Sequence, residues 1–136
     1  MKVQTVYLAG PIDFLTDGQR SDACALAIRL KAEAKKHLLE SSYWVFDPAD
    51  AWSAGAGSAP TELVQDINMD AVEKCDIMVA VLVRGVLSVG TVLEIQHAAS
   101  MIPSKKVVVI GDLGTNSVAM AYLGVEPKPN IYETGL

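Results

Sequence analysis

The sequence is short of cysteine, aromatics and positive charge, and each shortage excludes something. It has two cysteines, two tryptophans and two phenylalanines in 136 residues. Cys24 and Cys75 lie far apart, in apolar helical patterns and outside any Cys-x-x-Cys pair. They are expected to be buried thiols of a cytoplasmic protein, neither a disulfide nor metal ligands. Eleven basic residues face sixteen acidic ones, for a net charge of -5. No basic stripe is available to displace counterions from a nucleic-acid polymer, although one local site for a small anion is compatible with this balance. The longest apolar runs, such as residues 77–83, are strand-sized and fall well short of the roughly 20 residues of a membrane span. The opening Met1-Lys2-Val3-Gln4-Thr5-Val6 leads into a strand pattern without signal-peptide architecture. There is no internal repeat or low-complexity tract. Gly55-Ala56-Gly57 lacks the lysine of a phosphate-binding loop. His97 has no cysteine or carboxylate at ligand spacing, so neither metal nor cofactor is expected.

What remains is a chain with 51% hydrophobic and 20% charged residues. That composition excludes disorder and fits one folded domain over residues 1–136. The pattern alternates strand and helix. Residues 5–8 are apolar and stop at Gly10-Pro11. Residues 21–39 carry Ala23, Ala27, Leu30, Ala34 and Leu38 at helical spacing, with Ser21 as N-cap. A short strand at 43–46 ends at Asp47-Pro48, and 49–60 is expected to be a loop. Helices follow at 61–74, 90–101 and 116–123, strands at 77–83 and 106–110, and an extended tail from Val125. This order predicts an α/β, doubly wound parallel sheet of the flavodoxin or Rossmann type, with strand order 2-1-3-4. Ligands of such sheets bind at the switch point, beyond the carboxyl ends of strands one and three.

Two segments meet there: Tyr7-Leu8-Ala9-Gly10-Pro11-Ile12 and Ser88-Val89-Gly90-Thr91-Val92-Leu93-Glu94. Gly90 allows a sharp turn into a helix, whose free N–H groups can hold an anion beside the Ser88 hydroxyl. Glu94 lies about one turn into that helix. The positive helix end favours its ionised form, and an ionised carboxylate facing a crevice can act as a nucleophile. The alternative is a plain partner of the helix dipole.

The Tyr-Leu-Ala-Gly-Pro opening, Cys75-Asp76 before an apolar strand and Ser-x-Gly-Thr-x-x-Glu after it together resemble the nucleoside 2-deoxyribosyltransferase superfamily. That superfamily includes nucleoside 5'-monophosphate N-glycosidases, and the similarity runs from Tyr7 to about Gly124. The resemblance implies that Glu94 attacks the anomeric carbon and expels the base. Water or a second base then resolves the glycosyl-enzyme, the retaining logic of glycosidases. It also implies that Tyr7 orients the nucleophile, unless it is only a core aromatic.

Two departures bear on the substrate. The transferases typically carry Asp six positions before the glutamate, where this chain has Ser88, as the monophosphate glycosidases do. A hydroxyl at a helix N-terminus suits a phosphate that a carboxylate would repel. The helper acid is Asn68 by one family spacing and Asp70 by another, and the sequence leaves both open. Ser117 resembles a residue that reaches a neighbouring subunit's phosphate site, which requires a homodimer or larger homo-oligomer; a helix N-cap is the alternative. Asp13, Phe14 and Trp52 fall near the expected base pocket, with loop anchoring the alternative for Trp52. Arg20 and Arg84 are either phosphate partners or surface residues. The leading expectation is a cytoplasmic N-glycosidase of a (2'-deoxy)nucleoside 5'-monophosphate. The substrate contacts would come from Gly10, Pro11, Ile12, Asp13, Ser88, Gly90, Thr91, Ser117 and Trp52. A deoxyribosyltransferase is the alternative, and a non-catalytic nucleotide-binding protein is a third reading.

Overall fold

Five consecutive residues, Ile77–Val81, are all buried. An unbroken apolar strand requires this, because both of its faces must be covered. In the computed structural model, which describes residues 3–10, 22–52, 61–84, 89–101, 105–111 and 124–136, this strand is β3. It is one of four, with β1 (Thr5–Ala9), β2 (Trp44–Phe46) and β4 (Lys106–Ile110). The sheet has the order β2-β1-β3-β4 and every neighbouring pair is parallel. The 2-1-3-4 order expected from the sequence is therefore the observed one.

Helices α1 (Asp22–Glu40), α2 (Pro48–Trp52), α3 (Thr61–Lys74) and α4 (Val89–Ser100) connect the strands. Alternation along β1 sends Val6 and Leu8 to one face and Tyr7 and Ala9 to the other. The first pair packs against Cys24, Ala27, Leu30, Ala34 and Leu38 of α1. The second packs against Val72 and Cys75 beside α3, and against Ile95 and Ala98 of α4. Both cysteines are buried, as expected. Among the described residues, no helix is long and apolar enough to cross a membrane.

The start of the sheet is pinned by one carboxylate. Asp76 Oδ2 accepts from Thr5 N at 2.9 Å and from Thr5 Oγ1 at 3.1 Å. Asp76 N in turn donates to Thr5 O at 3.0 Å. The register that follows sets Tyr7 opposite Met78 and Ala9 opposite Ala80. Thus Asp76 of the Cys75-Asp76 signature works at the amino ends of the strands, the end away from the switch-point crevice.

The structure corrects several boundaries. The second strand begins at Trp44. The expected loop at 49–60 instead opens with α2: Pro48 takes the first helical position, and Asp47 Oδ1 accepts from Ala49 N at 2.9 Å. Asp47-Pro48 is a strand stop and also a helix start, since a capping Asp and an N1 proline are complementary. β3 stops at Val81, although Leu82 and Val83 stay buried. α4 begins and ends one residue earlier than expected. The tail is extended only in part. Lys128 N donates to Val109 O and Gly111 N to Lys128 O, each at 2.8 Å. The chain then turns through a 3-10 helix at Ile131–Glu133 that buries Ile131 in the α1-side core. Gly111 (φ +140°) permits this arrangement, because a Cβ there would stand 1.8 Å from Leu82 O. The expected helix at 116–123 and the Ser21 cap lie outside the described residues.

Replacing Asp76 with Ala removes an acceptor of two hydrogen bonds from Thr5 at the start of the two central strands. Charge-assisted bonds of this kind contribute about 1.5–3 kcal/mol each. For a half-buried site, the expected loss of unfolding free energy in urea is about 2–4 kcal/mol. A loss below about 1 kcal/mol would refute the clamp.

Candidate active site

Both helices on the Tyr7 face change character along their length. On α4 the buried positions run Thr91, Glu94, Ile95 and Ala98, polar toward the carboxyl ends of the strands and apolar below. On α3 they run Asn68 and Val72, with Cys75 just beyond the helix, in the same order. Both helices run antiparallel to the strands, since each returns the chain to the start of the next one. Their polar ends therefore face the switch point together. One contact sets their relative level: His97 Nε2 lies 2.9 Å from Glu73 Oε1 near the lower ends of both helices.

Glu94 is 7% exposed. Burial pushes its pKa from the ordinary 4.5 up to about 7, against the opposing pull of the Tyr7 hydroxyl and the Lys31 ammonium. The ionised state expected from the helix end is thus not the state that dominates below neutral pH. Tyr7 is fully buried and stacks on Phe46 with ring centroids 5.6 Å apart and planes 18° from parallel. Burial, and then the nearby Glu94, raise its pKa well above the usual tyrosine value, so it stays a neutral phenol. The hydroxyl is near enough to Glu94 for each group to shift the other. Yet it completes no hydrogen bond of ordinary length and angle among the described residues.

Lys31 is a member of this neighbourhood that the sequence reading missed. It lies one turn beyond buried Ala27 on α1. Its side chain crosses the end of β1, so close that a Cβ on Gly10 would meet Lys31 Cδ at 3.2 Å. Its Nζ is 2.9 Å from Asp47 Oδ1. Burial opposes ionisation of Asp47, but Lys31, the Ala49 N–H and Lys35 hold its pKa below the usual value. A lysine at helical spacing from a buried alanine is a weak sequence signal, readily taken for a solvated side chain.

The structure brings Tyr7, Gly10, Thr91 and Glu94 to the same end of the sheet, with Gly90 in the first turn of α4. It also separates the two candidates for the helper residue. Asn68 is 5% exposed, on the inward stripe one turn above Val72. The Asp70 side chain is 57% exposed and pairs with Lys74 at 2.8 Å. Asp70 lines a different groove of about 260 Å³, together with Thr5, Trp44, Phe46, Ile67 and Lys74. Trp52 ends α2, and Arg84 is exposed. Pro11, Ile12, Asp13, Phe14, Arg20, Ser88 and Ser117 lie outside the described residues.

The shifted carboxyl links pH to stability. From about pH 4.5 to about 7 the native protein keeps a proton on Glu94 that the unfolded chain has released. Stability therefore falls as pH rises through this window. Glu94→Gln removes that penalty. The variant should exceed the parent by about 2–3 kcal/mol in urea at pH 8, with the difference closing toward pH 4.5. An equal difference at both pH values would contradict the assigned ionisation.

No family model matches the sequence, and no curated protein does. Solved structures do match. A 2-deoxyribosyltransferase from the psychrotolerant bacterium Bacillus psychrosaccharolyticus superposes with a TM-score of 0.65. Its sequence is 18% identical over 85% of this chain and 78% of that one. A 2-deoxyribosyltransferase from Leishmania mexicana superposes with a TM-score of 0.56, at 19% identity over 94% of this chain and 76% of that one. The chain has the fold of these 2-deoxyribosyltransferases.

Proposed function

We propose that this protein is an enzyme of the nucleoside 2-deoxyribosyltransferase superfamily, cleaving the N-glycosidic bond of a 2'-deoxynucleoside through a covalent bond to Glu94. One observation carries the reading: a buried carboxyl, poised to ionise near pH 7, sits beside a buried neutral phenol at the switch point. A Glu94 oxygen attacks the anomeric carbon, and the electron pair of the breaking C–N bond leaves with the base, which takes up a proton from solvent. Tyr7 orients the carboxylate. Asn68, an amide, can hydrogen-bond the departing base and cannot protonate it. The glycosyl ester is then opened at the same carbon by a second base, which gives its N–H proton to solvent and restores the Glu94 carboxylate with net retention. Transfer to a base is the reading favoured by the two structural neighbours, both 2-deoxyribosyltransferases.

The second reading replaces the accepting base with water and the nucleoside with its 5'-monophosphate. Ser88 supports it, because residues 84–88 contain no carboxylate to repel a phosphate. In either reading we propose a homodimer or larger assembly, and in the second Ser117 would contact the phosphate in a neighbour's site. A fully active monomer in sedimentation at assay concentration would refute that part.

Incubation with 2'-deoxynucleosides and their 5'-monophosphates, with and without an added base, separates the readings. Transfer predicts exchange of the base. Hydrolysis predicts release of free base, faster from monophosphates, with that preference narrowed by Ser88→Asp. Glu94→Ala should abolish both, and retention of more than a few per cent of activity would remove Glu94 from its role. The parent enzyme's kcat/KM should also rise with pH up to about 7 and level off above it. At two pH units below 7, about a hundredfold less carboxylate is ionised. A profile flat down to pH 5 would contradict attack by the Glu94 carboxylate.

A further inference from the structure

Among the described residues, two buried side-chain polar atoms lack a hydrogen-bond partner: the Tyr7 hydroxyl and Gln65 Nε2. The Tyr7 hydroxyl has Glu94 beside it; buried donors are almost always satisfied, so the Gln65 amide asks for a partner outside the chain. Both orphans belong to the same face of the sheet. Gln65 precedes Asn68 by three residues on α3 and Val72 by seven, which keeps it on the inward stripe. The level set by His97 and Glu73 places it further. Glu94 lies three residues above His97, whereas Asn68 and Gln65 lie five and eight residues above Glu73. At about 1.5 Å per residue, the two amides rise past the backbone of Glu94 toward the mouth of the crevice. A glutamate side chain also leans toward its helix N-terminus, in the same direction. A substituent leaving a sugar bound at Glu94 therefore has the α3 amides along its path.

We propose that Gln65 reads the nucleobase, its Nε2–H donating to a carbonyl oxygen on the base. The inference rests on the reading of Glu94 as the group that cleaves the N-glycosidic bond. A carboxamide is uncharged, and a donor aimed into a buried site discriminates a keto base from one that presents an amino group at the same position. Asn68, one turn below, is nearer the bond that breaks; Gln65, one turn above, is nearer the far edge of the base. The orphan donor continues the polar end of the α3 stripe one turn beyond Asn68: it has no partner within the chain and gains one when a base enters.

The test uses the full chain and Gln65→Leu and Gln65→Glu variants. Base release is measured from 2'-deoxyinosine and 2'-deoxyuridine against 2'-deoxyadenosine and 2'-deoxycytidine, and from the corresponding 5'-monophosphates. Binding of free hypoxanthine and adenine is measured separately by the shift in Tm. The parent should favour keto bases. Gln65→Leu should narrow the keto-to-amino ratio of kcat/KM by at least about tenfold, the worth of one buried hydrogen bond. Its ligand-free Tm should equal or exceed that of the parent, because an unsatisfied donor has been removed. Gln65→Glu should move the preference toward amino bases. An unchanged ratio in Gln65→Leu overturns the proposal, as does a uniform loss of activity together with a lower ligand-free Tm, which would make Gln65 structural. If the parent releases no base yet binds hypoxanthine in a Gln65-dependent way, the cleavage reading falls and base recognition stands. If it neither releases nor binds a base, both fall.

Discussion

Everything at the site depends on the register between β1 and β3, and that register hangs on the Asp76 carboxylate gripping Thr5. Side chains on a strand alternate faces, so a slip of one residue would turn Tyr7 toward α1 and bring Leu8 into the place beside Glu94. The hydrophobic pattern resists such a slip only weakly here. Both faces of β1 are covered, and Val6, Tyr7, Leu8 and Ala9 are all buried. A two-faced apolar strand carries little polar alternation of its own, so a polar clamp at its start supplies the missing information. Stability and the geometry of the candidate site are thereby joined through a residue distant from Glu94.

The charge state of Glu94 is a contest between two effects of different size. A helix N-terminus favours a nearby carboxylate by about 0.3–1 kcal/mol, falling off beyond the first turn. A rise from 4.5 to about 7 corresponds to about 3 kcal/mol in the other direction. Burial wins because Glu94 is the sixth residue of α4 and lies under a packed face. Its position also accounts for what pulls it part of the way back: Tyr7 from β1 and Lys31 from the opposite side of the sheet. The Lys31 side chain passes close over residue 10, where a Cβ would crowd its Cδ at 3.2 Å. The small residue that closes β1 therefore admits a cation to the edge of the crevice.

The fold was legible because its signals are periodic and redundant. The run at 77–83, the α1 stripe through Leu30 and Leu38, and the strand–helix alternation all point to one topology. Glu94, Tyr7 and Thr91 were legible because that topology places their segments together. Asn68 and Asp70 could not be told apart from sequence, since two residues on one helix differ by phase, and the phase is set by what packs beneath. The burial of Val72 and Cys75 supplies it. α2 was hidden because Asp47-Pro48 serves the strand before and the helix after with the same two residues. Lys31 and Gln65 were hidden for another reason. Each is a long polar residue on a helix stripe, and only tertiary packing shows how far its side chain is withdrawn from water.

The return of the C-terminal segment to α1 has a consequence for the order in which the chain is made. Ile131 enters the same core as Leu30, Ala34 and Leu38. His37 Nε2 lies 2.7 Å from Leu136 O, and its ring meets Tyr132 edge-on with centroids 5.1 Å apart. His37 and Leu136 are separated by 99 positions, so this closure comes late and carries a large loop entropy. During vectorial synthesis α1 emerges early, and part of its apolar stripe waits for residues translated almost a hundred codons later. Until they arrive, the nascent chain presents that strip to its surroundings, and chaperone capture or self-association competes there with correct closure.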